Sequence, residues 1–372
     1  MNNIESNDAI EAIDAILAGA GLTHGRRQTL SGTWAEGERK RRSGRTGQVL
    51  PEPSHTVAVR RPEVERAEEW RRYEWLKHGF STRLGGVSEV YGRGELNLGW
   101  TASDDPTMVA ENRRRLVKEI AGARARASLV TMRQVHSGVV RTIEAEMMKG
   151  VISTSQNRDV GHPVHSLETA EGKAVLRGDA MMTDVPGVLL GVQVADCVPV
   201  LVADVKRKAV AAFHAGWRGT LKRIVERGIG RMRLRYGSQP EDLIAVVGPA
   251  IGPCCYSVGE EVRNEFESQF AYAAELFSEV YDSDPVKEKY PLLFLTARAP
   301  GHSNIGPQTH LDLWEANRRQ LLDAGLKAKR VSVIGECTAC TRVKGGGLKY
   351  YSHRGEAGFA GRMMGVVGIA KA

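Results

Sequence analysis

Cysteine is sparse and odd in number: the five residues Cys197, Cys254, Cys255, Cys337 and Cys340 are spread over a chain of 372. Such a set, in a chain without secretory features, excludes a disulfide framework and leaves reduced thiols, with or without metal, as the expected state. Long apolar runs are missing as well. No stretch approaches the ~18 consecutive apolar residues of a membrane span, and the opening residues carry acids where a secretory signal carries a basic segment and then an apolar one. A cytoplasmic chain with no membrane partner is therefore expected. Aromatic residues make up only 6%, too few to interleave with basic residues along a groove as single-strand binders require. No specific nucleic acid is expected as a partner, even though the net charge is +8. No internal repeat with a period of roughly 20–50 residues is visible, which sets aside repeat architectures.

What is present is enough hydrophobic sequence, 42%, to build a substantial core. Residues 1–55 differ from the rest: Ile10, Ile13, Ile16 and Leu17 fall at helical spacing, and a basic run, Arg39, Lys40, Arg41, Arg42 and Arg45, follows. They read as a basic, disordered extension ahead of one catalytic domain at 75–372. Residues 147–172, rich in Ser, Thr, Gly and His, read as a surface insertion, and a lid over the site is one use for it. Residues 188–202 are almost wholly apolar and predict one buried strand, paired across a short turn with 209–213. Leu221, Ile224, Val225, Ile229 and Met232 then mark a helix face. Strands at 243–247 and 330–334 and helices at 258–270 and 311–324 complete the expected α/β pattern.

Cys197 and His214 are about equally far from a turn centred near Lys206, so antiparallel pairing makes them cross-strand neighbours. A thiol beside an imidazole is either a nucleophilic pair or two ligands of a zinc-type site. His136 closes another apolar piece, Leu129 to Val135, and would complete a set of two His and one Cys with a fourth tetrahedral position open. Cys254 and Cys255 are adjacent. Vicinal residues are not expected to share one tetrahedral metal comfortably, so a Cys₄ site with Cys337 and Cys340 is not expected.

Phe80-Ser-Thr-Arg-Leu-Gly-Gly-Val-Ser88, Leu96-Asn-Leu-Gly99, Gln134-Val-His136, Gly178-Asp-Ala180, Ala195-Asp-Cys197 and His214-Ala-Gly-Trp-Arg-Gly219 run in order along the chain. They are followed by Gly248-Pro-Ala-Ile-Gly-Pro-Cys-Cys-Tyr256, Leu311-Asp-Leu-Trp-Glu-Ala-Asn317, Tyr351-Ser-His-Arg354 and Gly361-Arg362. This series resembles the YfiH family, also called the multicopper polyphenol oxidoreductase (laccase) family or the purine nucleoside phosphorylase family. The resemblance implies an α/β (α+β) fold, a single-domain four-layer α/β/β/α sandwich. It implies one metal held by His136, Cys197 and His214, with Zn²⁺ expected and copper the alternative, since thiolate and imidazole suit both. It also implies phosphorolysis of adenosine, inosine, guanosine and methylthioadenosine, with adenosine deamination as a side activity. The partners would be a purine nucleoside and phosphate, and the assembly a monomer or homodimer.

Two other activities stay open at this level: copper-dependent polyphenol oxidation, and amide hydrolysis of a cell-wall precursor by a Cys–His pair. A multicopper site needs many more ligands, mostly His, and ten scattered His do not readily supply them. For phosphorolysis, Arg83, together with Arg218 or Arg354, is expected to hold phosphate. Asp179 and Asp196 are expected to move protons or orient a ligand imidazole. Asn97 is either an Asx turn or a reader of the purine edge.

Overall fold

The computed structural model describes residues 61–148, 176–280 and 308–371. The expected N-terminal extension and nearly all of the 147–172 insertion lie outside them. The described residues belong to one compact unit. In chain order the elements are β1 (Val64–Glu65), β2 (Leu76–Ser81), β3 (Leu84–Ser88), α1 (Pro106–Ala121), β4 (Ser128–Val130) and β5 (Val140–Thr142). Next come β6 (Ala180–Thr183), β7 (Val188–Val194), β8 (Val198–Asp204), β9 (Ala209–Ala215), α2 (Trp217–Leu221), α3 (Ile224–Tyr236), β10 (Leu243–Val247) and β11 (Ser257–Val258). The last are α4 (Glu260–Gln269), β12 (Phe277–Val280), β13 (Gln308–Leu311), α5 (Leu313–Asp323), β14 (Val331–Val333) and β15 (Met363–Ile369).

Two large sheets carry the fold, ordered β1-β2-β15-β7-β4 and β14-β10-β8-β9-β6-β5. Strand alternation shows how they stack. Leu190 and Val192 of β7 and Val367 and Ile369 of β15 share a core with Leu201 and Ala203 of β8 and Val210 and Ala212 of β9, so the two sheets face each other there. The opposite faces are closed by helices. Leu189, Met364 and Val366 pack on Leu116, Val117 and Ile120 of α1, while Val200, Val202, Ala211 and Phe213 pack with Val225, Ile229 and Met232 of α3 and with Ala316 and Leu321 of α5. The central strands β8, β9, β10 and β15 are buried on both faces because each face meets another layer.

Local chemistry fits these elements. Pro106 opens α1 and the Asp105 carboxylate caps it by accepting from Thr107 N. Asp312 caps α5 through Glu315 N. The single helix face expected from Leu221 to Met232 is instead two helices, because Arg223 takes a left-handed conformation, φ 53°, between α2 and α3.

The larger correction concerns residues 188–202. They form two strands in different sheets: β7 pairs with β15 and β4, and β8 pairs with β9 and β10. Apolarity runs through both, so composition hides the break. The chain changes sheets at Ala195-Asp196-Cys197, where Asp196 has φ 90°.

Candidate active site

Asp179 organises one wall of the site. It is fully buried beside Gly178, and its carboxylate accepts from the backbone N–H groups of Val135 (3.1 Å), His136 (3.0 Å) and Ser137 (2.6 Å) and from the Ser137 hydroxyl (2.7 Å). Wrapping three consecutive amides around one carboxylate bends the chain sharply, and His136 takes φ 54°. Lys222 Nζ donates to His136 O at 3.1 Å, which pins the turn from the other side. The same carboxylate meets His214 Nδ1 at 2.9 Å, and the Asp179 carbonyl accepts from His214 N at 2.7 Å. One aspartate thus sets the positions of both imidazoles. Burial alone would raise its pKa, but the hydrogen bonds from His214 and Ser137 outweigh that and bring it down to about 2.

Cys197 arrives from the sheet crossover. The pairing of β8 with β9 joins Val198 to Ala215 and Pro199 to His214, which places Cys197 at the open end of the hairpin beside His214. Its corner is held at every oxygen of Asp196. Oδ1 accepts from Thr338 Oγ1 (2.7 Å), Oδ2 from Arg354 N (2.6 Å), and the carbonyl from Ile251 N (2.9 Å). A non-glycine residue at φ 90° persists only when its surroundings dictate it. Gly216 is required for a different reason: a Cβ there would lie 2.8 Å from Cys197 Sγ and 3.3 Å from His136 Cδ2.

The donor atoms of His136, Cys197 and His214 all lie within 4.8 Å of one another. Cys197 Sγ is 3.9 Å from His136 Nε2, and the two rings meet edge to face with centroids 4.9 Å apart. With Nδ1 of His214 engaged by Asp179, its Nε2 faces the thiol. Burial opposes ionisation of Cys197 but is outweighed by the charge of His214 and by hydrogen bonds from both imidazoles, so the thiol falls to about 6. Burial likewise disfavours charge on His214, and the thiolate and Asp179 overcome it, raising the imidazole to about 9. Two neutral-capable nitrogens and a thiolate converging on one point fit a metal ion that takes nitrogen and sulfur donors, zinc and copper alike.

The three open onto a cavity of about 680 Å³ lined also by Trp100, Gln134, Arg133, Gln193, His353 and Arg362, a volume typical of small-molecule sites. Gln134 braces its floor by donating to Gln193 O and accepting from Gln193 N, each at 2.7 Å.

Several expected site residues are engaged elsewhere. Arg83 is buried, with Nε and Nη2 on the Glu95 carboxylate (2.8 and 3.0 Å) and Nη1 on Glu356 (3.0 Å), its guanidinium lying over the Tyr351 ring. No donor face is left for a phosphate, so that expectation is corrected. Asn97 is fully buried in an Asx turn: its Oδ1 accepts from Gly99 N and Arg362 N, and its Nδ2 donates to Asp104. The turn reading holds over the purine-edge reading. Arg218 is exposed and stacks on Trp217. Arg354 donates from Nη1 to Ser257 O, and neither arginine is among the residues lining the cavity. Asp196 spends both oxygens on the corner and is likewise absent from the lining. Arg133, Arg362 and Trp100 were not singled out as substrate residues. Only Arg362 gave a signal, through its place in a motif. The view of Cys254, Cys255, Cys337 and Cys340 is corrected too, since their sulfurs lie within 4.8 Å of one another.

Residues 77–370 match the family described as multi-copper polyphenol oxidoreductase laccase. A purine nucleoside phosphorylase of Deinococcus radiodurans is 34% identical over 296 residues, covering 80% of this chain and 90% of that protein. The adenosine deaminase RL5 of an unknown prokaryotic organism is 29% identical, covering 70% of this chain and 84% of its own. Among solved structures, the hypothetical protein YfiH of Bacillus licheniformis superposes with a TM-score of 0.62 at 28% identity, covering 83% of this chain and 97% of that one. Among the described residues no helix is long and apolar enough to cross a membrane.

Proposed function

We propose that this chain, which belongs to the multi-copper polyphenol oxidoreductase laccase family, is a zinc-class purine nucleoside phosphorylase with adenosine deaminase side activity. The observation that carries the reading is the convergence of His136, Cys197 and His214 at the edge of a cavity that also holds two arginines and an exposed tryptophan. Relatives named for phosphorolysis and for deamination support it. A metal held by those three side chains would supply Lewis-acid polarisation of a substrate oxygen.

The chain's own residues account for the rest. Cleaving an N-glycosidic bond builds positive charge on the ribose and negative charge on the leaving purine, while the attacking phosphate has to be held and partly neutralised. Arg133 and Arg362 bring positive charge to the cavity wall and take the phosphate role that the buried Arg83 cannot, Arg362 with its Nη1 already held by the carbonyls of Ala360 and Gly361. Trp100, 42% exposed, offers an aromatic wall against which a purine stacks. Asp179 holds a proton on His214 Nδ1, which would leave Nε2 to ligate a metal beside Cys197, and the same carboxylate holds His136 in its turn.

Among the described residues the only cluster with imidazole donors contains three side chains, fewer than multicopper oxidation needs. Purified protein given phosphate with inosine or adenosine should release free base and ribose 1-phosphate, and Cys197→Ser or His136→Ala should abolish the release. Unchanged base release in either variant would sink the site assignment.

A further inference from the structure

We propose that Cys254, Cys255, Cys337 and Cys340 form a second, mononuclear tetrathiolate metal site of zinc class, with a structural role. All four sulfurs lie within 4.8 Å of one another, and Cys254 Sγ and Cys340 Sγ are 3.6 Å apart. Zn–S bonds of about 2.3 Å in a tetrahedron put neighbouring sulfurs roughly 3.8 Å apart, so the spacing suits one ion. It is tighter than the span across an iron–sulfur cluster, whose thiolates bind separate irons.

The backbone explains how adjacent residues reach one centre. Gly252 O accepts from both Cys255 N (2.9 Å) and Tyr256 N (3.0 Å), which winds 252–256 into a tight turn and carries both vicinal thiols to the same side. Opposite it, Cys337-Thr-Ala-Cys340 is a Cys-x-x-Cys knuckle. The amides of Gly252 (3.3 Å) and Ala339 point at Cys337 Sγ, the kind of N–H···S contact that stabilises a thiolate ligand. All four donors are cysteines and no fifth group is needed, which is the pattern of a closed, structural site rather than an open, catalytic one. Cys254 and Cys340 are exposed and Cys337 is buried, so an ion has a path in from solvent.

The cluster also adjoins the corner that presents Cys197. Ala250 bridges Cys337, and Thr338, between the two knuckle cysteines, donates from N to Ala250 O (3.0 Å) and from Oγ1 to Asp196 (2.7 Å). Closing the four sulfurs on one ion ties the 252–256 turn to this strap and so holds the left-handed Asp196.

Metal analysis of full-length protein purified without chelator tests the site. About two zinc equivalents per chain are expected, with Cys197→Ser keeping one and Cys254→Ser combined with Cys340→Ser keeping the other. Cobalt loaded into the Cys197→Ser protein should give strong thiolate-to-metal charge-transfer absorption that is lost when Cys254→Ser and Cys340→Ser are added to it. Should that variant fail to fold, alkylation of the wild-type chain decides: added zinc should protect Cys254 and Cys340, located by peptide mass. A Cys197→Ser chain without metal, acid-labile sulfide with iron, a Cys254–Cys340 disulfide in the purified protein, or alkylation unaffected by zinc would each overturn the proposal.

Discussion

Cys197 and Cys254 are the same side chain placed in opposite surroundings. Two imidazoles adjoin Cys197, and the charge of His214 with hydrogen bonds from both rings overcomes burial and brings the thiol from 9.0 to about 6. Burial and neighbouring sulfurs act on Cys254, and without a nearby cation they push it up to about 12. A thiolate at Cys197 is stabilised by the protein itself, whereas thiolates in the cluster of four await a cation. The difference is also one of closure. The His136, Cys197 and His214 set faces a cavity, while the four sulfurs face one another.

The sharpest way to break this comparison is thiol reactivity in metal-free protein. The thiolate is the reacting form, and although a lower pKa makes it a weaker nucleophile, at pH 7 alkylation of Cys197 should outpace that of Cys254 by roughly two orders of magnitude. The sign follows from the shifts. The depressed Cys197 pKa means the favourable charged pair is lost as pH falls through about 6, and the raised His214 pKa means it is lost as pH rises through about 9. Cys197 reactivity should therefore rise with pH around 6, and Cys254 reactivity only far above neutrality. Equal rates at pH 7, measured by peptide mass after timed quenching, would erase the contrast.

Asp179→Asn is next in size. An amide in place of the carboxylate loses the charge that holds the His214 proton and cannot accept every donor now directed at it, so metal affinity or activity should drop by roughly 10–100-fold. Metal titration of the purified variant reads this directly. Metal held by the four cysteines should be untouched, which separates the two regions in one protein.

Thr338→Val makes the smallest change and probes the link between them. It removes one hydrogen bond to the Asp196 carboxylate, a loss of about 1.5–3 kcal/mol, while leaving every metal-donor atom in place. Turnover should fall several-fold with the metal content of both regions unchanged. Unaltered kinetics would show that the cysteine strap does not support the Asp196 corner.

Much of the architecture was legible along the chain. The strand at Leu243–Val247 and the hairpin of β8 and β9 follow from apolar runs and a polar turn, and Asp312 with Glu315 marks the start of α5. These depend on neighbours a few residues apart. The sheet change at Asp196 was not legible, because a break between two buried strands of the same composition leaves no change in hydrophobicity. It depends on Thr338 and Arg354, each more than a hundred positions away. A shared site for the four cysteines runs against the sequence for a related reason: adjacency of Cys254 and Cys255 suggests poor chelation, and only the turn at Gly252 shows both thiols reaching the same point.

The sequence by itself determined which donor types exist, imidazole, thiolate and guanidinium, and the apolar segments that build two facing sheets. Only the tertiary structure decided which of those groups are free to act. Arg83 has the right chemistry for a phosphate, yet Glu356, 273 positions away, and Glu95 take up its donors, while Arg133 and Arg362 reach the cavity. A buried charge has to be paired wherever the fold places it, and such pairing depends on distance in space, which spacing along a chain does not reveal.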